Sequence, residues 1–277
     1  MYEEGVSVCI TAYKSKEFIK ECLDSVKNQT WFKTHNNWEI LLGIDGCANT
    51  LHYVQSIMGG YKNLRVFMMD SNKGTYVTSN TIMKQSKYSG LIRFDSDDIM
   101  LPNMIERIME EKKWYDIVRF KMMNFGTNRT KGSAVGQIYI KHDIFDKFGG
   151  YMPFPCSADA ELLKRLRKFV NIKKLNDILF KRRIHKNNLT VSSKTNFESP
   201  IRQSIGKVID NEHFRFEKDA IIECKTNTFV EIFKDTDISA YKETPEEEKV
   251  EMKISNKRKQ LIMRRVNKQS FKNHVLS

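Results

Sequence analysis

At 277 residues, with 40% hydrophobic and 11% aromatic side chains, the chain buries a domain-sized core, and its composition excludes the disordered classes. No run approaches the roughly 18 consecutive apolar residues of a membrane helix. The start lacks a secretory leader's basic and apolar regions, and Cys9, Cys22, Cys47, Cys156 and Cys224 show no paired spacing, so a cytoplasmic protein with reduced thiols is expected.

The net charge is +13 and uneven. Lys164 to Lys186 holds ten basic residues and a single acid, Asp177, and Lys253 to Lys272 holds eight with no acid. Such blocks favour nucleotide phosphates, an anionic membrane surface or nucleic acid; a solvated basic face is the plainer reading of any one residue.

In chain order, Val6 to Tyr13 is β-rich and predicts a central strand. Phe18, Ile19, Cys22, Leu23 and Val26 then fall at helical spacing, with Ser15 as a candidate cap. Trp38 to Ile44 predicts a second strand ending at Asp45-Gly46, Leu51 to Met58 a helix, and Asn63 to Met69 a third strand. A helix over about Thr75 to Gln85 leads to the strand Leu91–Phe94, followed by a helix from Pro102 to Glu111 and a strand from Asp116 to Met123. Beyond it, 124–136 reads as loop, 137–140 as strand, 143–148 and 158–169 as helices, and 172–184 as one or two strands. Residues 246–272 suggest a basic helix with a sparse apolar face. The strand–helix alternation predicts an α/β layer with a mainly parallel sheet, whose ligands bind beyond the carboxyl ends of the strands. Tyr13, Asp45 and Asp95 would share that rim.

The fourth of these strands ends in Asp95-Ser96-Asp97-Asp98. Clustered carboxylates at a strand end repel one another and lose hydration, so they persist where a cation compensates, and a hard divalent ion with oxygen ligands suits them. A polar turn that merely closes the strand is the alternative.

Five features in order resemble the family 2 glycosyltransferases, which have a GT-A fold. They are VSVCITAY with the following FIKECLDSVKNQT helix; GIDG at 43–46; Asn72-Lys-Gly74 with Asn80; Asp95-Ser-Asp-Asp98 with Pro102; and Gly149-Gly-Tyr151 followed by Ser157-Ala-Asp-Ala-Glu-Leu-Leu163. A sixth segment, Lys181 to Ser192, resembles the family's histidine-containing motif. Three positions depart from the pattern: Ile44 replaces one of two usual acids, Ser79 a frequent Arg, and Ala158 the Glu before the base.

The resemblance implies a GT-A domain over 1–195, with a nucleotide half to about 123 and an acceptor half beyond, and a C-terminal α+β or helical extension over 196–277. It implies inverting transfer of a sugar from a nucleoside diphosphate, expected to be UDP, to an acceptor hydroxyl. Thr11, Tyr13, Asp45, Asn72, Gly74, Asp95, Ser96, Asp97 and Arg183 would contact the donor. Asp97, Asp98 and His185 would hold Mn²⁺ or Mg²⁺, and Asp159 would be the general base, with Glu161 in reserve. The spacing does not divide ribose and metal duties among the three aspartates. The expected acceptor is a glycan or lipid-linked saccharide, with peripheral contact to an anionic membrane through the basic segments. Modified bases of DNA are the alternative acceptor, and a non-catalytic nucleotide-sugar-binding protein is the alternative to an enzyme.

Overall fold

In chain order, the strands and helices of the computed structural model are β1 (Glu3–Ala12), α1 (Ile19–Lys27), β2 (Trp38–Ile44), α2 (Ala48–Ile57), β3 (Leu64–Met69), α3 (Thr75–Met83), β4 (Tyr88–Asp95), β5 (Ile99–Met100), α4 (Met104–Glu111), β6 (Ile117–Asn124), β7 (Thr130–Ser133), β8 (Tyr139–Lys141), α5 (His142–Phe148), α6 (Ala158–Leu166), β9 (Ile172–Arg182), α7 (Pro200–Asn211) and β10 (Phe229–Ile232). The structure describes residues 1–126, 130–211, 222–223 and 225–243; the helix expected over 246–272 lies outside them.

All the strands join one mixed sheet in the order β10-β3-β2-β1-β4-β8-β6-β9-β5, with β7 paired to β6. The segment β3-β2-β1-β4 is parallel, as the helical crossovers α1, α2 and α3 require. Every residue of β2 is buried, the continuous apolar run of a strand covered on both faces. The core fills from those faces: Ile19, Leu23 and Val26 of α1 and Leu51 and Val54 of α2 pack with Val8, Ile10, Leu42 and Phe94.

The flanks are antiparallel. Strand β8 runs against β4, and β10 returns from the C-terminal end of the described chain to pair with β3, Phe229 opposite Met69. Residues past 195 thus build an edge of the nucleotide half's own sheet. Within the stretch expected to be loop, β7 forms a hairpin with β6. Ser15 does not cap α1 with its side chain: its carbonyl accepts from the Phe18 and Ile19 N–H groups, while its Oγ meets Ser96 Oγ at 2.7 Å.

Two pairings set the geometry of the site. β1 lies between β2 and β4, with Thr11 level with both Gly43 and Asp95, so three loops open at one rim. The two-residue β5 pairs with the end of β9, Ile99 opposite Lys181, which carries residues 183–188 beside the aspartate cluster.

Candidate active site

On the nucleotide side, the Thr11 hydroxyl meets Thr75 Oγ1 at 2.7 Å, and Tyr13 is exposed. Asp45, 2% exposed, turns inward. Its Oδ1 accepts from the Lys73 N–H at 3.0 Å and Thr78 Oγ1 at 2.9 Å, and its Oδ2 accepts from the Gly74 N–H at 3.0 Å. Burial raises the Asp45 pKa against the pull of those donors. Gly74 has φ +96°, a region favouring glycine, and leads directly into α3. Asp45 therefore shapes the 72–74 loop, and Asn72 in that loop is exposed. Asn80 bridges inward to both backbone groups of Tyr151 and to the Lys225 carbonyl.

The aspartate cluster divides into three environments. Asp95 is the most open of the three, with Oδ1 2.8 Å from Arg93 Nη2 and Oδ2 accepting from Gln137 Nε2 at 3.1 Å. Ser96 is buried on Ser15. Asp97 Oδ2 lies 2.8 Å from His185 Nε2 and accepts from Asn188 Nδ2, also at 2.8 Å. Asp98 is buried, and both its oxygens are engaged, Oδ1 by the Arg183 N–H at 2.8 Å and Oδ2 by Gln137 Nε2 at 2.5 Å. Burial first, then the charges of Asp97 and Asp95, push the Asp98 carboxyl well above the usual range.

Arg183 staples this corner. Its Nε donates to the Asp97 carbonyl at 3.1 Å, its Nη2 pairs with Glu21, and its guanidinium lies 4.4 Å from the Phe125 ring centroid and 5.1 Å from that of Phe18. Phe18 also stacks on His185 at 4.8 Å.

Asp159 sits in the first turn of α6, whose cap is Ser157 at φ +65°, a left-handed conformation uncommon outside glycine. Asp159 is not the cap: its Oδ1 accepts from Tyr76 Oη at 2.9 Å. Glu161 is fully buried and salt-bridged to Arg165 at 2.7 Å, which removes it from proton transfer. Burial raises its pKa and Arg165 opposes the rise.

Arg93 connects the two halves. Although 3% exposed, it donates from Nε to Ser79 Oγ at 3.2 Å, from Nη1 to the Gly136 carbonyl at 2.6 Å and from Nη2 to Thr75 Oγ1 at 2.9 Å, besides pairing with Asp95. The rings of Tyr76 and Tyr151 flank it at 5.5 and 5.8 Å. Burial works against its charge, but Asp95, the two tyrosines and Asp159 outweigh it. A Cβ built on Gly136 would meet Asp159 Oδ2 at 3.1 Å and Arg93 Nη1 at 3.3 Å, so the base candidate, this arginine and the 136–137 loop are in direct apposition.

Arg93, Tyr76, Gln137 and Asn188 escaped the sequence reading. Arg93 left one signal, a charge between Ile92 and Phe94 in a central strand. The others come from a helix and loops without local signature.

Among the described residues no three acidic, histidine or cysteine side chains converge as a ready metal cage. Asp97 and His185, with side chains 19% and 22% exposed and donor atoms facing each other, are of the chemistry that would suit a hard divalent ion. Asp98 is less accessible to an ion, being 3% exposed with a hydrogen bond to each oxygen. Within the first basic block, Lys164 pairs with Asp210, Arg165 with Glu161, Arg183 with Glu21, and Lys173 lies 3.8 Å from Glu111. No helix among the described residues is long and apolar enough to cross a membrane.

Comparison with known proteins agrees with this architecture. The chain is 31% identical over 107 residues to a chondroitin synthase of Pasteurella multocida, an alignment spanning 38% of this chain but 11% of the synthase. It is 32% identical over 93 residues to the glycosyltransferase AglE of Haloferax volcanii, covering 33% of this chain and 30% of AglE. The chain thus matches only a minor part of these relatives' length. In fold it resembles S. aureus TarS 1–349 in complex with UDP, with TM-score 0.57 and 17% identity over 77% of this chain and 73% of that one. It also resembles the mannosyltransferase PcManGT of Pyrobaculum calidifontis in complex with GDP-Man and Mn²⁺, with TM-score 0.57 and 12% identity over 79% and 73%. Residues 7–204 match the family model for glycosyl transferase family 2, so the chain belongs to that family.

Proposed function

We propose that the protein transfers a sugar from a nucleoside diphosphate, UDP in the first instance, to an acceptor hydroxyl with inversion at the anomeric carbon. The observation that carries this reading is the apposition, through Arg93 and Gly136, of the Asp95–Asp97–His185 corner with Asp159. One end offers donors and carboxylates to a nucleotide, the other a carboxylate to an attacking hydroxyl.

The leaving diphosphate accumulates negative charge as the glycosidic bond lengthens. Asp97 and His185 are the residues that would hold Mn²⁺ or Mg²⁺, which supplies Lewis-acid neutralisation of that charge. Asp95, the most exposed of the three aspartates, suits a ribose hydroxyl. Thr11, Tyr13 and Asn72 line the rim where the nucleoside would lie, and Asp45 and Gly74 act through the shape of the 72–74 loop. Arg183, already paired with Glu21, orients Asp97 and Asp98 rather than meeting the diphosphate as a free cation.

Asp159 takes the acceptor proton as the new bond forms, and attack from its side of the sugar gives inversion. Tyr76 fixes its Oδ1, leaving Oδ2 to receive the proton. The acceptor we favour is a glycan or lipid-linked saccharide, since the relatives include a chondroitin synthase. The pairing of Lys164, Arg165, Lys173 and Arg183 with acids leaves the first basic block a weak argument for DNA, and the second block lies outside the described residues.

The test is a nucleotide-sugar panel scored by melting temperature with and without Mn²⁺, followed by acceptor trials with the stabilising donor. Stabilisation by one nucleotide sugar only with the metal supports the reading. No stabilisation by any member refutes it.

A further inference from the structure

Three aspartates stand within four residues, yet their side chains are held differently, and one neutral side chain accounts for two of the three. Gln137 is 4% exposed, and its Nε2 donates both to Asp98 Oδ2 at 2.5 Å and to Asp95 Oδ2 at 3.1 Å. Its Oε1 is buried without a partner. Leaving a buried carbonyl without a partner is costly. Rotating the amide would aim its oxygen at the Asp95 carboxylate, so the two bonds from Nε2 fix the orientation.

We propose that Gln137 is a positioning residue that sorts the aspartate cluster: it withholds Asp98 and Asp95 from the cation and leaves Asp97 to bind it. The proposal rests on the metal-dependent donor site inferred above. The chemistry requires a neutral donor here. A lysine or arginine would cancel the cluster's charge and compete with a divalent ion, and a glutamate would add a fourth repelling carboxylate. An amide supplies N–H groups and no net charge.

The backbone holding the amide is itself fixed. The Gly136 carbonyl is bound by the buried Arg93, and Gly136 packs so closely on Asp159 and Arg93 that a Cβ there would press on both, at 3.1 and 3.3 Å. Asp98 Oδ1 is taken by the Arg183 N–H, so Gln137 closes its second oxygen. Asp95 Oδ1 is taken by Arg93 and Gln137 holds its Oδ2. Among the described residues both partners of Asp97 share Oδ2, which leaves Oδ1 to a cation.

The test uses the full chain, with Mn²⁺ and either UDP or GDP as probes. Gln137→Met is close in shape and lacks the donor. The Mn²⁺ concentration giving half-maximal nucleotide binding, followed by calorimetry and by the Mn²⁺ paramagnetic resonance signal, should fall about 10-fold, because the released Asp98 and Asp95 carboxylates add anionic oxygen ligands to the site. Adding Asp98→Asn to Gln137→Met should return it at least part of the way to the unsubstituted value, because the released carboxylate is then gone. Should Gln137→Met fail to fold, Gln137→Asn, one methylene too short to span both carboxylates, reads the same quantity. An unchanged or raised Mn²⁺ requirement in a folded variant, or no reversal by Asp98→Asn, overturns the proposal while the donor-site reading stands. Absence of Mn²⁺-dependent nucleotide binding in the unsubstituted protein overturns both.

Discussion

Replacing Asp159 with Asn separates proton transfer from donor binding. The substitution is isosteric, and the amide oxygen still accepts the Tyr76 hydroxyl that now meets Asp159 Oδ1 at 2.9 Å, so the side chain keeps its place in the first turn of α6. The negative charge disappears, but Arg93 keeps its contact with Asp95 at 2.8 Å and its three neutral acceptors. The donor corner at Asp97 and His185 shares no hydrogen bond with Asp159 among the described residues. Donor affinity should therefore be unchanged. An amide cannot take the acceptor proton, and a positioned general base contributes about 10²–10⁴ in rate. The barrier should rise by about 3–5 kcal/mol. The assay is kcat for transfer to the acceptor, beside calorimetric binding of the nucleotide sugar with Mn²⁺. Turnover near that of the unsubstituted protein would refute the base assignment. Parallel loss of donor binding and turnover would make Asp159 a structural residue of the loop.

Asp97→Ala removes the residue shared by His185 and Asn188, and Mn²⁺-dependent nucleotide binding, read by thermal shift, should weaken by about 100-fold or more, since losing a group that only supports a metal ligand already costs about 10–100-fold. Arg165→Met leaves the Glu161 carboxylate buried and unpaired and removes the arginine's bonds to the Phe148 and Gly150 carbonyls; urea denaturation should show a loss of about 3–5 kcal/mol, largely recovered in the double variant with Glu161→Leu. His142, buried with Nε2 lacking a hydrogen bond and 3.8 Å from Asp146 Oδ1, has a pKa lowered first by burial, so the unfolded chain binds its proton more readily. Its contribution should be intact above the unfolded imidazole value near 6.5 and decline as pH falls below it, and His142→Phe should flatten that slope of stability against pH.

The chain's own periodicity determined the nucleotide half. Apolar β-runs at Val6–Ile10 and Trp38–Ile44, alternating with helical spacing such as Phe18 to Val26, leave a parallel, doubly covered sheet as the consistent solution. Its strands must end in Tyr13, Asp45 and Asp95 on one rim. Those are local patterns, set by which residues can face a core. The aspartate cluster and Asp159 were legible for the same reason, because a carboxylate at a strand end or helix start announces itself by being costly to bury.

Tertiary structure alone decided the division of labour. Which aspartate is free depends on Gln137, from a loop about forty residues away, on the Arg183 N–H brought in by the β5–β9 pairing, and on Asn188 beyond it. The return of β10 to the edge of β3 is likewise unwritten in its four residues, which have no pattern until an open edge of unpaired backbone groups is there to receive them. Hydrogen bonds between residues distant in sequence leave no periodicity. The sequence therefore announced three carboxylates as a group, and only the folded chain gives each its own partners.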